Sequence, residues 1–453
     1  MHYASTSRFF RAFTVAIGWN ALFYSIYKVC FVALTFVLYR QLPSAYFSQW
    51  ATANSLIFLL LLWLNCGFKK SIPRFAPVFS KNNAFHRKFI SLLIVVKVLV
   101  LLLGIPVLIY ALTWFTPHLV FLPLIIGIFV TEGLCSLLLL IYHAHFWQKQ
   151  FNLIQALFLV LEMCINFAYL FLVDTTPTQI VSFLFITKLI GNSGVCLFSI
   201  GLLPALYKNT LIVAHEVLDK QKIIRAFIKH SLYMWLTVLL QSLSERNFLF
   251  PFITSIQGPT VANMFKVIHD AAIFFQRIAV QTIGVADTAL LSYIEVTDNR
   301  LSELRLAFTS IFKTVFVLCV PLLCLGILLF FKNHTEVPTS TIILFLIVAS
   351  GSALEIVLSP YARVLEVKFC YKEIFLSYAP YTVCYALLIA LYATNTISLL
   401  YFIAAAHSVR MVGALSMVYF AKKDFHVPFP SGFTGIVISL CFLATFVAWL
   451  CFM

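Results

Sequence analysis

The sequence predicts an all-α polytopic membrane protein with two six-helix bundles around a central cavity and an additional helix at the C-terminus. Mean hydropathy is +0.99, and only 10% of the 453 residues are charged, which is too little polar surface for a soluble protein of this size. Apolar runs of about 20 residues, the length that crosses a bilayer core as a helix, recur along the whole chain. Basic residues concentrate in alternate connections between these runs.

Glycine, proline and polar clusters mark the ends of the apolar runs and divide the chain into predicted spans. The predicted spans are, in order, 13–39, 44–66, 89–113, 118–143, 151–173, 178–206, 226–250, 260–291, 303–331, 340–361, 373–393, 396–420 and 432–452.

The connections after even-numbered spans are basic, and those after odd-numbered spans are short and nearly uncharged. The basic connections include K-K-S-I-P-R-F, L-D-K-Q-K-I-I-R, R-V-L-E-V-K and A-K-K-D, and with the N-terminus they hold most of the 31 lysines and arginines. The opposite connections read L-P-S-A-Y, V-D-T-T-P-T and I-Q-G-P-T. Positive charge marks the cytoplasmic side, so the sequence predicts a cytoplasmic N-terminus in the plasma (inner) membrane. The net charge of +15 is then a topology signal rather than a nucleic-acid surface.

The longest cytoplasmic connection follows the sixth span and predicts the domain organisation. Residues 1–206 form the N-terminal six-helix bundle, 207–225 a cytoplasmic linker, 226–420 the C-terminal six-helix bundle, and 421–453 a linker with the extra helix. No connection is long enough for a soluble domain, which disfavours membrane enzymes that work through large external loops. No hydrolytic, phosphate-binding or metal-ligand motif is present. The sequence therefore predicts neither an enzyme nor a metal site.

Eleven cysteines occur in the chain, without a C-x-x-C motif. Most lie inside apolar runs, which predicts small buried side chains rather than disulfides or metal ligands. Those in apolar runs include Cys30, Cys135, Cys164, Cys196, Cys319 and Cys441.

The eighth span carries charges that are costly inside a membrane. At about 100° per residue, its polar side chains share an arc of roughly 140°, and apolar side chains fill the rest. The polar side chains of this arc are Lys266, His269, Asp270, Gln276, Arg277, Gln281, Asp287 and Thr288. Such a stripe predicts a helix that lines water or another polar surface. Lys266 and Asp270 are also i,i+4 neighbours that can pair.

Other spans also carry polar or charged side chains. Asn20, Tyr24, Tyr27 and Lys28 share one face of the first span, and the seventh span ends in the pair Glu245–Arg246. Isolated charges inside spans include Lys188 and Arg410, besides Lys97, Glu132, Glu162 and Glu355. Intramembrane ionisable residues mark substrate or ion routes, and the alternative is mutual pairing that only holds helices together. Cations and aromatic rings suit an amphipathic anion such as a phosphate-bearing lipid.

Three segments carry a family resemblance. These are Y-R-Q-L-P-S-A-Y-F-S-Q-W after the first span, the Gly67 and Ile72-Pro73-Arg74-Phe75 element after the second, and Glu245–Arg246 followed by Gln257-Gly258-Pro259. With its span order, the chain over about residues 1–420 resembles polysaccharide exporters of the MOP superfamily, the Wzx-type lipid-linked oligosaccharide flippases.

The resemblance implies a MATE-like fold and transport by alternating access. It implies that Lys28, Arg246, Lys266 and Arg277 contact the lipid diphosphate head group in a cationic cavity. Glu245 and Asp270 are the nearest matches to carboxylates that couple transport to H⁺ or Na⁺ in relatives. Asn20, Tyr24, Tyr27, Lys188, Gln281 and Arg410 are expected as secondary cavity lining. The thirteenth span departs from a plain twelve-helix plan, and the eleventh span lacks the acid that a sodium site would use.

The sequence thus predicts a flippase that moves an undecaprenyl-diphosphate-linked oligosaccharide from the cytoplasmic to the outer leaflet for surface polysaccharide, such as O-antigen or lipopolysaccharide. Expected partners are the lipid-linked oligosaccharide, membrane lipids and polysaccharide polymerase or assembly proteins, with no cofactor. The alternatives are a cation-coupled multidrug or small-solute antiporter of the same superfamily, a non-transporting membrane scaffold, and a glycan polymerase or ligase. The cationic lining favours the flippase over a cation exporter, and the short outer loops disfavour the polymerase.

Overall fold

A computed structural model of the chain describes most of its residues. The described ranges are 2–79, 82–115, 121–173, 175–209, 219–243, 245–283, 286–297, 305–315 and 339–427. Residues 210–218 of the predicted linker, most of the predicted ninth span and the predicted C-terminal helix lie outside these ranges.

Every regular element in the described ranges is a helix. The helices are α1 (His2–Gln41), α2 (Ser44–Trp63), α3 (Phe68–Phe79), α4 (Asn83–Phe115), α5 (Leu122–Ala144), α6 (Gln148–Leu172), α7 (Pro177–Asn209), α8 (Lys220–Ser242), α9 (Arg246–Ala272), α10 (Phe274–Ile283), α11 (Ala286–Thr297), α12 (305–315), α13 (Thr339–Val367), α14 (Tyr371–Ala393) and α15 (Leu399–Phe425). Ten segments of the described chain are long and apolar enough to cross a membrane. The predicted helical, multi-pass membrane class is confirmed.

Several segments predicted as cytoplasmic loops are helical instead. K-K-S-I-P-R-F lies in α3, whose apolar side chains Phe68, Ile72, Phe75 and Phe79 recur every three or four residues and are buried. That spacing is helical, and the two lysines and two prolines of α3 concealed it. Likewise, R-V-L-E-V-K continues α13 as far as Val367. The basic end of α13 therefore extends beyond the predicted span 340–361, and α3 is a helix within a predicted loop.

A sharp turn at Gly67 separates α2 from α3. The residue has a φ of +75°, a conformation that side chains with a Cβ disfavour. A Cβ atom built there would lie 2.0 Å from the backbone oxygen of Ser231 on α8. Close by, the indole N–H of Trp235 donates to the carbonyl oxygen of Trp63. Glycine at this turn therefore lets α8 pack directly on the end of α2.

The seventh and eighth predicted spans are not continuous helices. The first break lies between Ser242 and Arg246, at the predicted charged pair. Within α9, Gly258 has φ +82° and ψ 172°, so this range consists of two helices across a kink at the predicted G-P turn. A further interruption at Ile273 separates α9 from α10. The assumption of one regular helix over 260–291 is therefore wrong.

The chain forms two compact units, Tyr3–Met264 and Phe265–Met453. In the first unit, α5 packs against α4 and α7, and α7 also packs against α6. There, the ring of Phe227 on α8 contacts Phe79 and Phe89. In the second unit, α15 packs against α13 and α14. The predicted bundle boundaries at 206 and 226 remain a prediction.

Candidate functional site

The predicted polar face of α1 is largely buried. Asn20, Tyr24 and Lys28 are buried, and Tyr27 is half-buried. The Lys28 ammonium lies 5.2 Å from the ring centroid of Tyr27 and 5.8 Å from that of Phe31, and these two rings stack on each other. Aromatic faces attract cations. This part of α1 thus presents a cation on an aromatic surface.

Asn20 belongs to a buried polar connection between three helices. Its side-chain oxygen accepts a hydrogen bond of 2.7 Å from the Asn152 amide on α6. The Asn152 oxygen in turn lies 3.3 Å from Nε2 of His143 on α5. Burial of such amides requires hydrogen-bond partners, which these residues supply to one another. The sequence alone could not assign these partners, because Asn20 and Asn152 are 132 residues apart.

Lys188 lies on α7 and contacts α2. Its ammonium donates a 2.9 Å hydrogen bond to the side-chain oxygen of Asn54 and lies 5.0 Å from the ring centroid of Phe58. In the described residues, it has no carboxylate within ion-pairing distance. The carboxyl group of Glu162 on α6 interacts electrostatically with Lys188. It makes no hydrogen bond in the described chain. Lys188 was predicted as a site residue, but Asn54 and Phe58 were not. Their four-residue spacing, which places them on one face of α2, is the local feature of the sequence that points to them.

The pair Glu245–Arg246 lies at the break between α8 and α9. Arg246 is the first residue of α9, and the backbone N–H groups of Phe248 and Leu249 donate to the carbonyl oxygen of Glu245. The Glu245 side chain is half-buried. The side chain of Arg246 lies outside the described part. The unpaired backbone N–H groups of a helix start favour anions, so this break suits a negatively charged group.

Lys266 and Asp270 form an ion pair on α9. The ammonium lies 2.8 Å from the carboxylate oxygen, and the two side chains are only 4% and 7% exposed. Arg277 lies in α10 beyond the interruption at Ile273, and its side chain is outside the described part. Gln281, also in α10, is half-buried, and its side-chain oxygen has no hydrogen-bond partner among the described residues.

Charged side chains of α13 are paired with those of neighbouring helices. Arg410 on α15 donates to Glu355 at 3.0 Å. Arg363 donates to Asp287 on α11 at 3.0 Å and to Glu366, one turn further along α13, also at 3.0 Å. Arg363 and Glu366 were predicted to lie in a loop, so this network was not predicted from the sequence. Arg410, predicted as cavity lining, is held by a carboxylate.

The part of the chain that the structure describes contains no group of three His, Cys, Asp or Glu side chains that could hold a metal ion. The two histidines near the end of α5, His143 and His145, are buried. Nε2 of His145 lies 3.0 Å from Nε2 of His86 on α4. His143 contacts Asn152, and His145 contacts His86.

No protein-family model matches the sequence, and no curated protein matches it. Solved structures do match along nearly the whole chain. A multidrug resistance MATE family transporter of the MOP superfamily, in an outward-facing conformation, has a TM-score of 0.65 at 11% identity and covers 93% of this chain and 96% of its own. A MOP superfamily transporter from Pyrococcus furiosus, described as having a binding pocket of reverse polarity, has a TM-score of 0.64 at 13% identity, with 91% and 95% covered.

A eukaryotic MATE transporter also matches, with a TM-score of 0.61 at 12% identity over 98% of this chain and all of its own. These neighbours are transporters rather than enzymes. Identities this low show the fold and nothing finer, and the fold agrees with the prediction from the sequence. The chain is a multi-pass helical membrane protein with the MATE fold of MOP superfamily transporters.

Proposed function

We propose that this protein is a flippase of the plasma membrane that moves an undecaprenyl-diphosphate-linked oligosaccharide from the cytoplasmic to the outer leaflet by alternating access. The observation that carries this proposal is the environment of Lys188. This cation lies against an aromatic ring and a neutral amide. A diphosphate head group supplies the anionic partner that such cations attract.

The breaks along the seventh and eighth spans support the same substrate class. In transporters, interrupted helices expose backbone N–H groups at a helix start, where anionic groups bind. Arg246 begins α9 at such a break, and Arg277 follows the interruption at Ile273. We assign head-group contact to these two arginines together with Lys28 and Lys266.

The paired cations have to exchange partners if they are to bind substrate. Lys266 is bonded to Asp270, and Arg410 to Glu355. A phosphate that approaches Lys266 competes with the Asp270 carboxylate, which favours uptake of a proton by that carboxylate. Asp270, and Glu245 by analogy, are therefore the proposed coupling groups for H⁺. Asn20, Tyr24, Tyr27 and Gln281 complete the proposed lining.

A cation-coupled multidrug antiporter is the second candidate. The observation that favours it is Glu162, a carboxyl group within a spanning helix that makes no hydrogen bond in the described chain. Such a group suits a cationic substrate. One neighbour of this fold is a multidrug transporter, and another is described as having a pocket of reverse polarity that suggests a different function. The sign of the pocket charge is therefore the feature that separates the two candidates.

A deletion strain without a redundant exporter tests the flippase. We expect lipid-linked glycan to accumulate in the cytoplasmic leaflet and surface glycan to be lost. Complementation with Arg246→Ala, Arg277→Ala or Lys188→Ala is expected to restore membrane insertion but less than about a tenth of the surface glycan, since each loses a charge-assisted contact. Lys149→Ala is the matched control, because this exposed lysine lies over Trp19.

Normal surface glycan in the deletion strain contradicts the flippase. Lost resistance to cationic drugs in that strain, restored by the wild-type chain and not by Glu162→Gln, supports the antiporter instead. Full activity of both arginine variants contradicts the assignment of the head-group contacts.

A further inference from the structure

Two free thiols face each other between α5 and α7. The Sγ atoms of Cys135 and Cys196 are 3.2 Å apart. Cys135 also contacts the backbone oxygen of Asn192 at 3.4 Å, and Cys196 contacts that of Thr131 at 3.4 Å. In each helix the cysteine follows the carbonyl group by four residues, so the two halves of the contact mirror each other. The packing of α5 on α7 therefore fixes both sulfur atoms from two sides.

The separation of the sulfur atoms is close to what a covalent bond requires. A disulfide bond is about 2.05 Å long, so the two atoms need to approach by about 1.2 Å. Small shifts of two side-chain torsions supply this movement where the backbones are already in contact. Cys164, which also lies inside a span, differs from this pair in its surroundings. It is exposed, and its thiol makes no hydrogen bond in the described chain.

Burial determines which reagents reach the pair. Cys135 and Cys196 are 5% and 6% exposed and lie inside helices that cross the membrane. Charged reductants and oxidants are excluded from hydrocarbon, whereas apolar peroxides dissolve in it.

We propose that Cys135 and Cys196 form a membrane-embedded dithiol that an apolar hydroperoxide, such as an oxidised lipid, converts into a disulfide between α5 and α7. This modification site is independent of the transported substrate. The sequence predicted only small buried side chains at these positions, because nothing local indicates that residues 61 apart meet.

The reaction balances in two steps. The sulfur of Cys135 attacks the hydroperoxide, the O–O bond breaks, and the thiol proton passes to the leaving alkoxide, which departs as an alcohol. This step leaves a sulfenic acid on Cys135. The sulfur of Cys196 then attacks that sulfur, an S–S bond forms, and the hydroxyl group leaves as water with the second thiol proton. Two thiols lose two electrons, and the peroxide gains them.

Oxidation of native membranes that contain the full chain tests the proposal. Cumene hydroperoxide is added, free thiols are alkylated with maleimide after denaturation, and peptides are analysed by mass spectrometry with and without dithiothreitol. We expect a reducible Cys135–Cys196 linked peptide in the wild type and in the control Cys164→Ser, and none in Cys196→Ser. A charged, membrane-impermeant oxidant is expected to give at least tenfold less of it.

Recovery of both cysteines as free thiols, under conditions that oxidise Cys164, overturns the proposal. Conversion of either thiol to a sulfinic acid without the linked peptide overturns it as well. A second probe avoids dependence on the folding of the serine variant. Phenylarsine oxide replaces two S–H bonds by two S–As bonds and releases one water, so it has to protect Cys135 and Cys196 from alkylation together. Protection of one thiol alone, or of neither, contradicts the dithiol.

Discussion

The two compact units hold several of their intrahelical cations in different ways. In the first unit, the ammonium groups of Lys97 and Lys188 donate to neutral oxygens, a backbone carbonyl group and an amide side chain. In the second unit, Lys266, Arg363 and Arg410 each lie within 3.0 Å of a carboxylate. A cation beside a neutral acceptor keeps its charge available to an external anion. A cation in an ion pair has that charge compensated, and its removal leaves an acid behind, which is buried in the case of Asp270, Asp287 and Glu366.

This difference predicts opposite responses to the same substitution. Removal of one partner of a buried ion pair costs about 3–5 kcal/mol, because the other charge stays buried without compensation. Removal of a lysine from a neutral acceptor leaves only a hydrogen-bonding group unsatisfied, and it also abolishes the cost of keeping a charge inside the membrane. Substitutions that break these ion pairs of the second unit are therefore expected to affect folding, whereas removal of Lys97 or Lys188 from the first unit should affect folding much less.

The largest effect is expected at Arg363, which contacts two buried acids. Arg363→Met leaves Asp287 and Glu366 without their shared cation, so the free energy of unfolding should fall by about 3–5 kcal/mol. Chemical unfolding in detergent micelles measures this loss. Lys368→Met is the matched control, because Lys368 lies 3.7 Å from Glu295 and both side chains are more exposed. Its expected cost is about 1 kcal/mol or less. Equal costs at the two positions would show that the network does not depend on burial.

A smaller loss is expected when the Lys266–Asp270 pair is broken. Lys266→Met and Asp270→Leu should each cost about 3 kcal/mol, since both side chains are buried and each substitution leaves one charge behind. The double variant should recover most of that loss, because an apolar pair replaces an ionic one. Unfolding in micelles gives the coupling energy from the four proteins. Additive losses would mean that the two side chains do not stabilise each other.

Local features of the sequence predicted the parts of the fold that depend on nearby residues. The Gly-Pro dipeptide at Gly258 predicted a turn because a positive φ favours glycine. The spacing of Lys266 and Asp270 predicted neighbours on one helix face. By contrast, α3 looked like a loop, since Pro73 and Pro77 disfavour a helix in isolation. In the structure, burial of its aromatic face against α8 stabilises that helix.

The partners of the charged residues depend on contacts between distant helices, which one sequence does not encode locally. Glu355 and Arg410 are 55 residues apart, and Asp287 and Arg363 are 76 apart. Most of these charges stand out in the sequence because ionisable residues inside spans are costly. The sequence does not separate substrate-binding cations from cations held by an acid. That separation needs the packing of α11, α13 and α15.

The lysines of the first unit should tolerate a change that the second unit does not. Lys97→Met and Lys188→Met are each expected to change the free energy of unfolding by about 1 kcal/mol, because only a carbonyl or amide oxygen loses its donor. Lys188→Met should nevertheless lose most transport activity if its charge contacts the substrate. Lys97→Met should keep activity, because Lys97 caps the end of α2 through the Leu64 oxygen. A loss of 3 kcal/mol at either lysine would abolish the distinction between the two units.

The smallest effect concerns the neutral contact between His145 and His86 in the first unit. Burial, and then the neighbouring His86, hold the pKa of His145 well below its ordinary value of 6.5. The folded protein therefore keeps His145 neutral where the unfolded chain binds a proton, so stability is greatest above pH 6.5 and falls as the pH decreases. Between pH 7.5 and pH 6 one such group lowers the free energy of unfolding by about 0.8 kcal/mol.

His145→Gln keeps a hydrogen-bonding side chain without this titration. Over the same pH interval, its free energy of unfolding in micelles should fall by about 0.8 kcal/mol less than that of the wild type. An identical pH dependence in the variant and the wild type would mean that His145 takes up a proton in the folded state, and that the first unit also holds a buried charge at this contact.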